Sequence, residues 1–173
     1  PMANGYIQFA TQAFSASYPS LDKPDTTSAY PSGKYEVSGY FDEADDSATL
    51  ATLRKAIADA ANAEWPGVNV DGLNNPLKTQ EDGSVRVKLK SARKPALQDA
   101  KGNALADDVV IGPGDLIRVA GVAKAYNTGG NKGITFYLNT TRLIDKRSHS
   151  DGTDPFGGPD EGFAAKHEAD IPF

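Results

Sequence analysis

Along Val85–Lys90, cationic and aliphatic side chains alternate strictly: Arg86, Lys88 and Lys90 fall on one side of a period-two strand, and Val85, Val87 and Leu89 on the other. One side can seal a core while the other offers three positive charges, which is what a polyanion needs. Arg93-Lys94-Pro95 extends the basic run. Further on, Lys124 and Tyr126 share a face by the same alternation, and Lys132 follows the paired glycines Gly129-Gly130. Single strands of nucleic acid are held by such a cationic path combined with aromatic platforms on which bases stack. Tyr126 is the first candidate platform, followed by Tyr30, Tyr35 and Tyr137.

Charge is segregated in the same sense. Residues 84–147 carry 12 Lys/Arg against 5 Asp/Glu, whereas residues 1–83 carry 5 against 12, and the net charge of the 173-residue chain is −5. A basic block between acidic ones steers an anionic ligand better than the net charge suggests. Covalent and metal chemistry find little support. The chain has no cysteine, which excludes disulfides, thiol nucleophiles and thiolate metal sites. Its two histidines, His149 and His167, both lie in a polar C-terminal stretch. Asp42, Glu43, Asp45 and Asp46 could in principle hold hard cations in a metal-dependent nuclease, but they precede a helix, where acids favour the dipole. No phosphate-binding loop or hydrolase signature occurs. Neither a metal nor a cofactor is implied.

The elements that position these residues follow from periodicity. Tyr6–Phe14 and Lys34–Phe41 read as strands separated by a proline-rich loop over residues 16–32. Leu50, Leu53, Ile57, Ala60 and Ala61 recur at helical spacing. Asp46 or Ser47 is the expected N-cap, and Trp65-Pro66-Gly67 the stop. Val85–Lys90, Leu116–Tyr126 and Gly133–Ile144 are three more strands, with Lys101-Gly102-Asn103 a hairpin tip, Gly112–Asp115 a tight turn and residues 127–132 a loop. Five strands and one helix suggest a curled antiparallel barrel of the OB type, with a β-sandwich as the structural rival. Nothing in the chain is long and apolar enough to suggest a membrane span.

From Ser148 onward the chain is rich in Gly, Pro, Asp and Ser and carries 6 acids against one lysine. It reads as a disordered acidic tail following a domain over residues 1–147. Its last residues, Asp170, Ile171, Pro172 and Phe173, turn apolar, and they offer a ring, a carboxylate and a stiffened backbone to a partner's pocket.

That tetrapeptide resembles the tip of bacterial single-stranded DNA-binding proteins, which recruits replication, recombination and repair enzymes. The body resembles instead a phage-encoded family of single-stranded DNA-binding proteins. The resemblance is carried by residues 50–65, by Lys90-Ser91-Ala92-Arg93-Lys94-Pro95 and by the long ungapped run Ala125–Phe136. It implies an OB-fold and a non-enzymatic role in coating and protecting unwound DNA, with little sequence preference. It also implies action in the cytoplasm of an infected bacterium, as a monomer or weak oligomer. The other readings of the residues are the nuclease and a virion structural or interaction module.

Overall fold

The structure, a computed structural model, describes residues 6–147. The acidic segment over residues 148–173, with its Asp170–Phe173 tip, lies outside the described residues.

All five expected strands and the helix are present. The first strand is broken into β1 (Ile7–Ala10) and β2 (Phe14–Ser15), and the others are β4 (Tyr35–Phe41), β6 (Val85–Ser91), β8 (Leu116–Thr128) and β9 (Asn131–Asp145). Two short strands, β3 (Ser17–Ser20) and β5 (Leu77–Thr79), lie where only loop was expected. A third, β7 (Ala96–Gln98), is the incoming arm of the hairpin expected around Lys101-Gly102-Asn103, with the Leu105 N–H donating back to the Leu97 carbonyl at 2.9 Å. They are too short for periodicity to show, and each is recruited by a longer neighbour, β4, β6 and β9 respectively. The sheet runs β1-β8-β9-β6-β4-β3 and its end strands do not pair, so it curls without closing. The β6–β9 junction is parallel and rests on Lys90 opposite Tyr137.

β8 and β9 form the spine. Their pairing continues to Thr128 opposite Asn131, so the expected loop over residues 127–132 shrinks to the two-residue turn Gly129-Gly130. Both glycines have left-handed φ, 58° and 87°, which a primed hairpin turn requires. Helix α1 (Ser47–Glu64) buries Leu50, Leu53, Ala56, Ile57, Ala60 and Ala61, the i, i+3, i+4 stripe read from the sequence. It packs on β8, β1 and β9. Asp46 is its N-cap, but the Asp46 carboxylate accepts from the Asp42 N–H at 2.7 Å rather than from a helix N–H.

The core is one cluster inside the curl of the sheet, with the helix covering it on the β1, β8 and β9 side. Val85, Val87 and Leu89 enter it from β6, Val37 and Phe41 from β4, and Ile134, Phe136 and Leu138 from β9. Phe9 packs on Phe136 at 4.6 Å and Phe14 on Phe41 at 5.1 Å between ring centroids. Gly39 is bare because the Phe14 ring crosses it: a Cβ there would stand 2.8 Å from that ring. Among the described residues no helix is long and apolar enough to cross a membrane.

Candidate nucleic-acid interface

The outward side of β6 is flanked by β4 and β5, and their registers decide what surrounds each cation. Arg86 sits opposite Tyr40 on β4 and Lys78 on β5, Lys88 opposite Ser38, and Lys90 opposite Glu36. Directly paired residues share a face, so a polar, cationic surface runs across three strands. Two clefts of about 600 and 460 Å³ meet at Arg86 and Lys88 and form one trough. One arm is lined by Tyr18, Tyr30 and Tyr40. The other is lined by Lys78, Lys90, Tyr126 and the backbone-rich Asn74–Pro76 segment.

The tyrosines of the first arm are open to solvent: Tyr30 is 92% exposed, Tyr18 75% and Tyr40 44%. Large rings standing in water beside cations are available for stacking. Tyr18 has φ 49°, alone among described non-glycine residues in a left-handed backbone. Such strain costs about 1–3 kcal/mol and gathers at functional sites. Tyr30 is carried on a loop closed by Asp25, whose N–H donates to the Lys34 carbonyl at 2.9 Å and whose carbonyl accepts from the Gly33 N–H at 2.8 Å. The Ser28 hydroxyl donates to the Asp25 carboxylate and, with nearby backbone N–H groups, holds its pKa below the usual value. In the second arm Tyr126 is opposite Gly133, where a Cβ would stand 2.6 Å from its hydroxyl oxygen. The missing side chain is what lets this ring lie across β9.

One carboxylate interrupts the positive surface. Glu36 is buried, its side chain only 7% exposed; it accepts from the Ser32 hydroxyl and pairs with Lys88 Nζ at 3.0 Å. Part of the Lys88 charge is therefore spent inside the protein. Lys90 has the opposite problem. Partial burial, then the charges of Lys88 and Lys34, hold its pKa below the ordinary lysine value, with Glu36 opposing. A phosphate at that position would relieve the repulsion.

The trough thus gathers Arg86, Lys88, Lys90, Tyr126 and Tyr30 from the residues singled out in the sequence, with Tyr137 at its margin, and leaves the others elsewhere. Tyr35 is half-buried and has the strand parity of the core residues Val37 and Phe41. Tyr137, exposed on β9, is opposite Lys90 across the β6–β9 junction and so shares the trough's face at its margin, although it lines neither cleft. Lys124 stands over the Tyr6 ring at 4.2 Å and Lys132 over the Trp65 ring at 5.3 Å, both cation–π contacts. Arg93 is exposed beyond β6, its N–H donating to the Ser91 hydroxyl at 3.1 Å. Lys94 borders a separate cleft together with Asp22 and Asp107. Three trough residues escaped the sequence: Tyr18, Tyr40 and Lys78. The strand parity of Tyr40 pointed to it; for Tyr18 and Lys78, on strands of 4 and 3 residues, no periodic signal exists.

The acids ahead of α1 are used locally. The Asp42 carboxylate accepts from the Ala44 and Asp45 N–H groups, and Glu43 forms a two-bond pair with Arg54. Among the described residues no group of three or more His, Asp or Glu side chains is placed to hold a metal ion.

Comparison with known proteins places this fold. No family model matches the chain, and no curated protein matches it in sequence. Solved structures do match. The chain is similar to gp2.5, a single-stranded DNA-binding protein encoded by bacteriophage T7, with TM-score 0.60 and 18% identity over 85% of this chain and 97% of that one. It is similar as well to the single-stranded DNA-binding protein of bacteriophage Enc34 in complex with single-stranded DNA, with TM-score 0.64 and 12% identity over 86% and 94%. The same Enc34 protein without that ligand gives TM-score 0.62 and 14% identity over 89% and 97%. The fold is that of these phage proteins, an OB-fold, here mainly β with one α-helix among the described residues.

Proposed function

We propose that this chain is a phage single-stranded DNA-binding protein that covers and protects unwound DNA during replication or recombination. The observation that carries the reading is the trough across β4, β5 and β6, where Arg86, Lys88, Lys90 and Lys78 lie among Tyr18, Tyr30, Tyr40 and Tyr126. Its support is the fold shared with phage proteins that bind single-stranded DNA, one of them solved with that ligand. Cations meet the phosphates and position the strand, and tyrosine rings stack on whichever base arrives, so sequence preference is weak. A duplex keeps its bases stacked on one another and denies the rings their partners, so single strands bind more tightly. Arg93, Lys94, Lys124 and Lys132 add to the surrounding positive field. No chemical step is needed for this role. The acidic segment over residues 148–173 competes with DNA for the trough, and Asp170–Phe173 docks replication or recombination enzymes in the cytoplasm of the infected host.

The test is a titration of the isotope-labelled full chain with an oligothymidine, followed by NMR. Shifts concentrated at Arg86, Lys88, Lys90 and Tyr126 support the trough. Binding that shifts Lys94 and its cleft instead, leaving the trough untouched, removes this assignment.

A further inference from the structure

Away from the trough, Arg118 on β8 sits directly opposite Arg142 on β9, and Gln98 on β7 is in register with Arg142 from the other side. The three residues form one rung across three strands. Like charges directly opposed destabilise a sheet, yet neither arginine is in an ion pair among the described residues. Both are nonetheless held in place. Arg118 Nε donates to the Thr11 carbonyl at 2.8 Å, and Arg142 donates from Nε and Nη2 to Gln98 Oε1 at 3.1 and 3.0 Å. Neutral acceptors orient the two guanidinium groups and leave their charge uncompensated. A fixed pair of planar forks suits an oxyanion, and the side-chain entropy of holding it is already spent.

The arginines wall a cavity of about 130 Å³ whose lining contains no acid. Through Ala10, Ala120 and Thr140 it continues into a cleft of about 540 Å³ that adds Gln8, Phe9, Gly121 and Asn139. Asn139 is the extra residue of β9 where Ala120 pairs Thr140 and Gly121 pairs Leu138. Bulges of this kind re-aim side chains and recur beside binding sites. Its amide can both donate to and accept from a base edge. A cationic pocket sized for one oxyanion thus opens onto a larger, uncharged cleft.

The geometry points to a second nucleotide-binding site, in which Arg118 and Arg142 take the phosphate and the cleft beside Asn139 takes the sugar and base. None of its lining residues lines the trough. Along β8, Arg118 and Tyr126 are separated by about 26 Å of strand at the usual rise per residue. The ligand is a nucleotide phosphate, either free or as one unit of a longer single strand. The second source rests on the function proposed above, with the strand extending beyond the trough.

The experiment compares full-length wild type with the Arg118→Gln/Arg142→Gln double variant, using oligothymidines of about 5 and about 15 nucleotides, within the span of OB-fold site sizes. Thymidine monophosphate is the free-nucleotide probe. Glutamine keeps polarity and relieves the opposed charges, which offsets the lost bonds to Thr11 and Gln98, so the variant should stay folded, as melting and unchanged short-strand binding will show. Wild type should bind the long oligonucleotide more tightly than the short one. The variant should bind the short one as wild type does and lose roughly tenfold on the long one, the worth of a charge-assisted contact. Thymidine monophosphate should shift the Ala120 and Thr140 resonances of wild type only. If it does so without any length-dependent gain, the source is the free nucleotide. Equal long-strand binding by both proteins, together with no arginine-dependent shift from the monophosphate, overturns the site. Failure of the trough reading shows separately, as absent short-strand binding by wild type; the monophosphate shifts then decide the second site alone.

Discussion

Replacing Glu36 with glutamine should strengthen binding to single-stranded DNA and steepen its salt dependence. The side chain is nearly isosteric and can still accept from Ser32, but it no longer holds Lys88 Nζ, now paired at 3.0 Å, by charge. Lys88 then becomes a full cation facing the trough, and one repulsive carboxylate is gone from its floor. Each phosphate neutralised on a single strand contributes about −0.7 to the slope of log affinity against log salt. One additional phosphate contact therefore steepens the slope by about 0.7, or roughly fivefold in relative affinity between 1 M and 0.1 M salt. The loss of a partly shielded pair should lower stability by roughly 1–2 kcal/mol. The assay is fluorescence titration of an oligothymidine at several salt concentrations on wild type and Glu36→Gln, with thermal melting of both. An unchanged slope in a folded variant would mean that Lys88 does not meet phosphate, and weaker binding would mean that Glu36 itself helps hold the strand.

Tyr126→Ala should cost roughly 1–3 kcal/mol of affinity, the worth of one stacked base, at unchanged melting temperature. Gly133→Ala should impair binding in the same direction with Tyr126 intact, because a Cβ would stand 2.6 Å from its hydroxyl oxygen and 2.7 Å from the Asn74 carbonyl oxygen and so displace two walls of the second arm; titration and melting of both variants compare them. Lys90 is held below the ordinary lysine pKa by burial, Lys88 and Lys34, and a bound phosphate raises that value again, so binding takes up a proton. Affinity should thus begin to fall with rising pH earlier than ordinary lysines titrate, and Lys90→Arg should flatten that early part of the profile. Converting the six acids of residues 148–173 to their amides should raise DNA affinity at low salt and leave it nearly unchanged at high salt, where the Debye length is short.

Much of this was legible in the sequence where the period was long enough to read. The alternation along Val85–Lys90 correctly separates core from trough, and the stripe of α1 is the stripe that is buried. The choice among tyrosines was harder. Tyr35 shares the parity of Val37 and Phe41, so its own strand pattern spoke for the core side, whereas Tyr40, on the opposite parity, is in the trough. Tyr18 and Lys78 depend on strands that exist only because β4 and β6 offer them edges, a tertiary effect with no local signal. The pairing of Glu36 with Lys88 is equally non-local: an acid on one strand and a cation 52 positions later become neighbours only through register. The arginine rung has the same origin, since nothing in the chain announces that Arg118 will meet Arg142 across a bulged hairpin.

The most direct measurement is a salt titration of the full chain against an oligothymidine and a duplex of equal length, read by fluorescence. The account predicts tighter binding to the single strand at every salt concentration, with a log–log slope of about −2 to −3 for three to four engaged phosphates. Equal affinity for duplex, or a flat salt response, would contradict it.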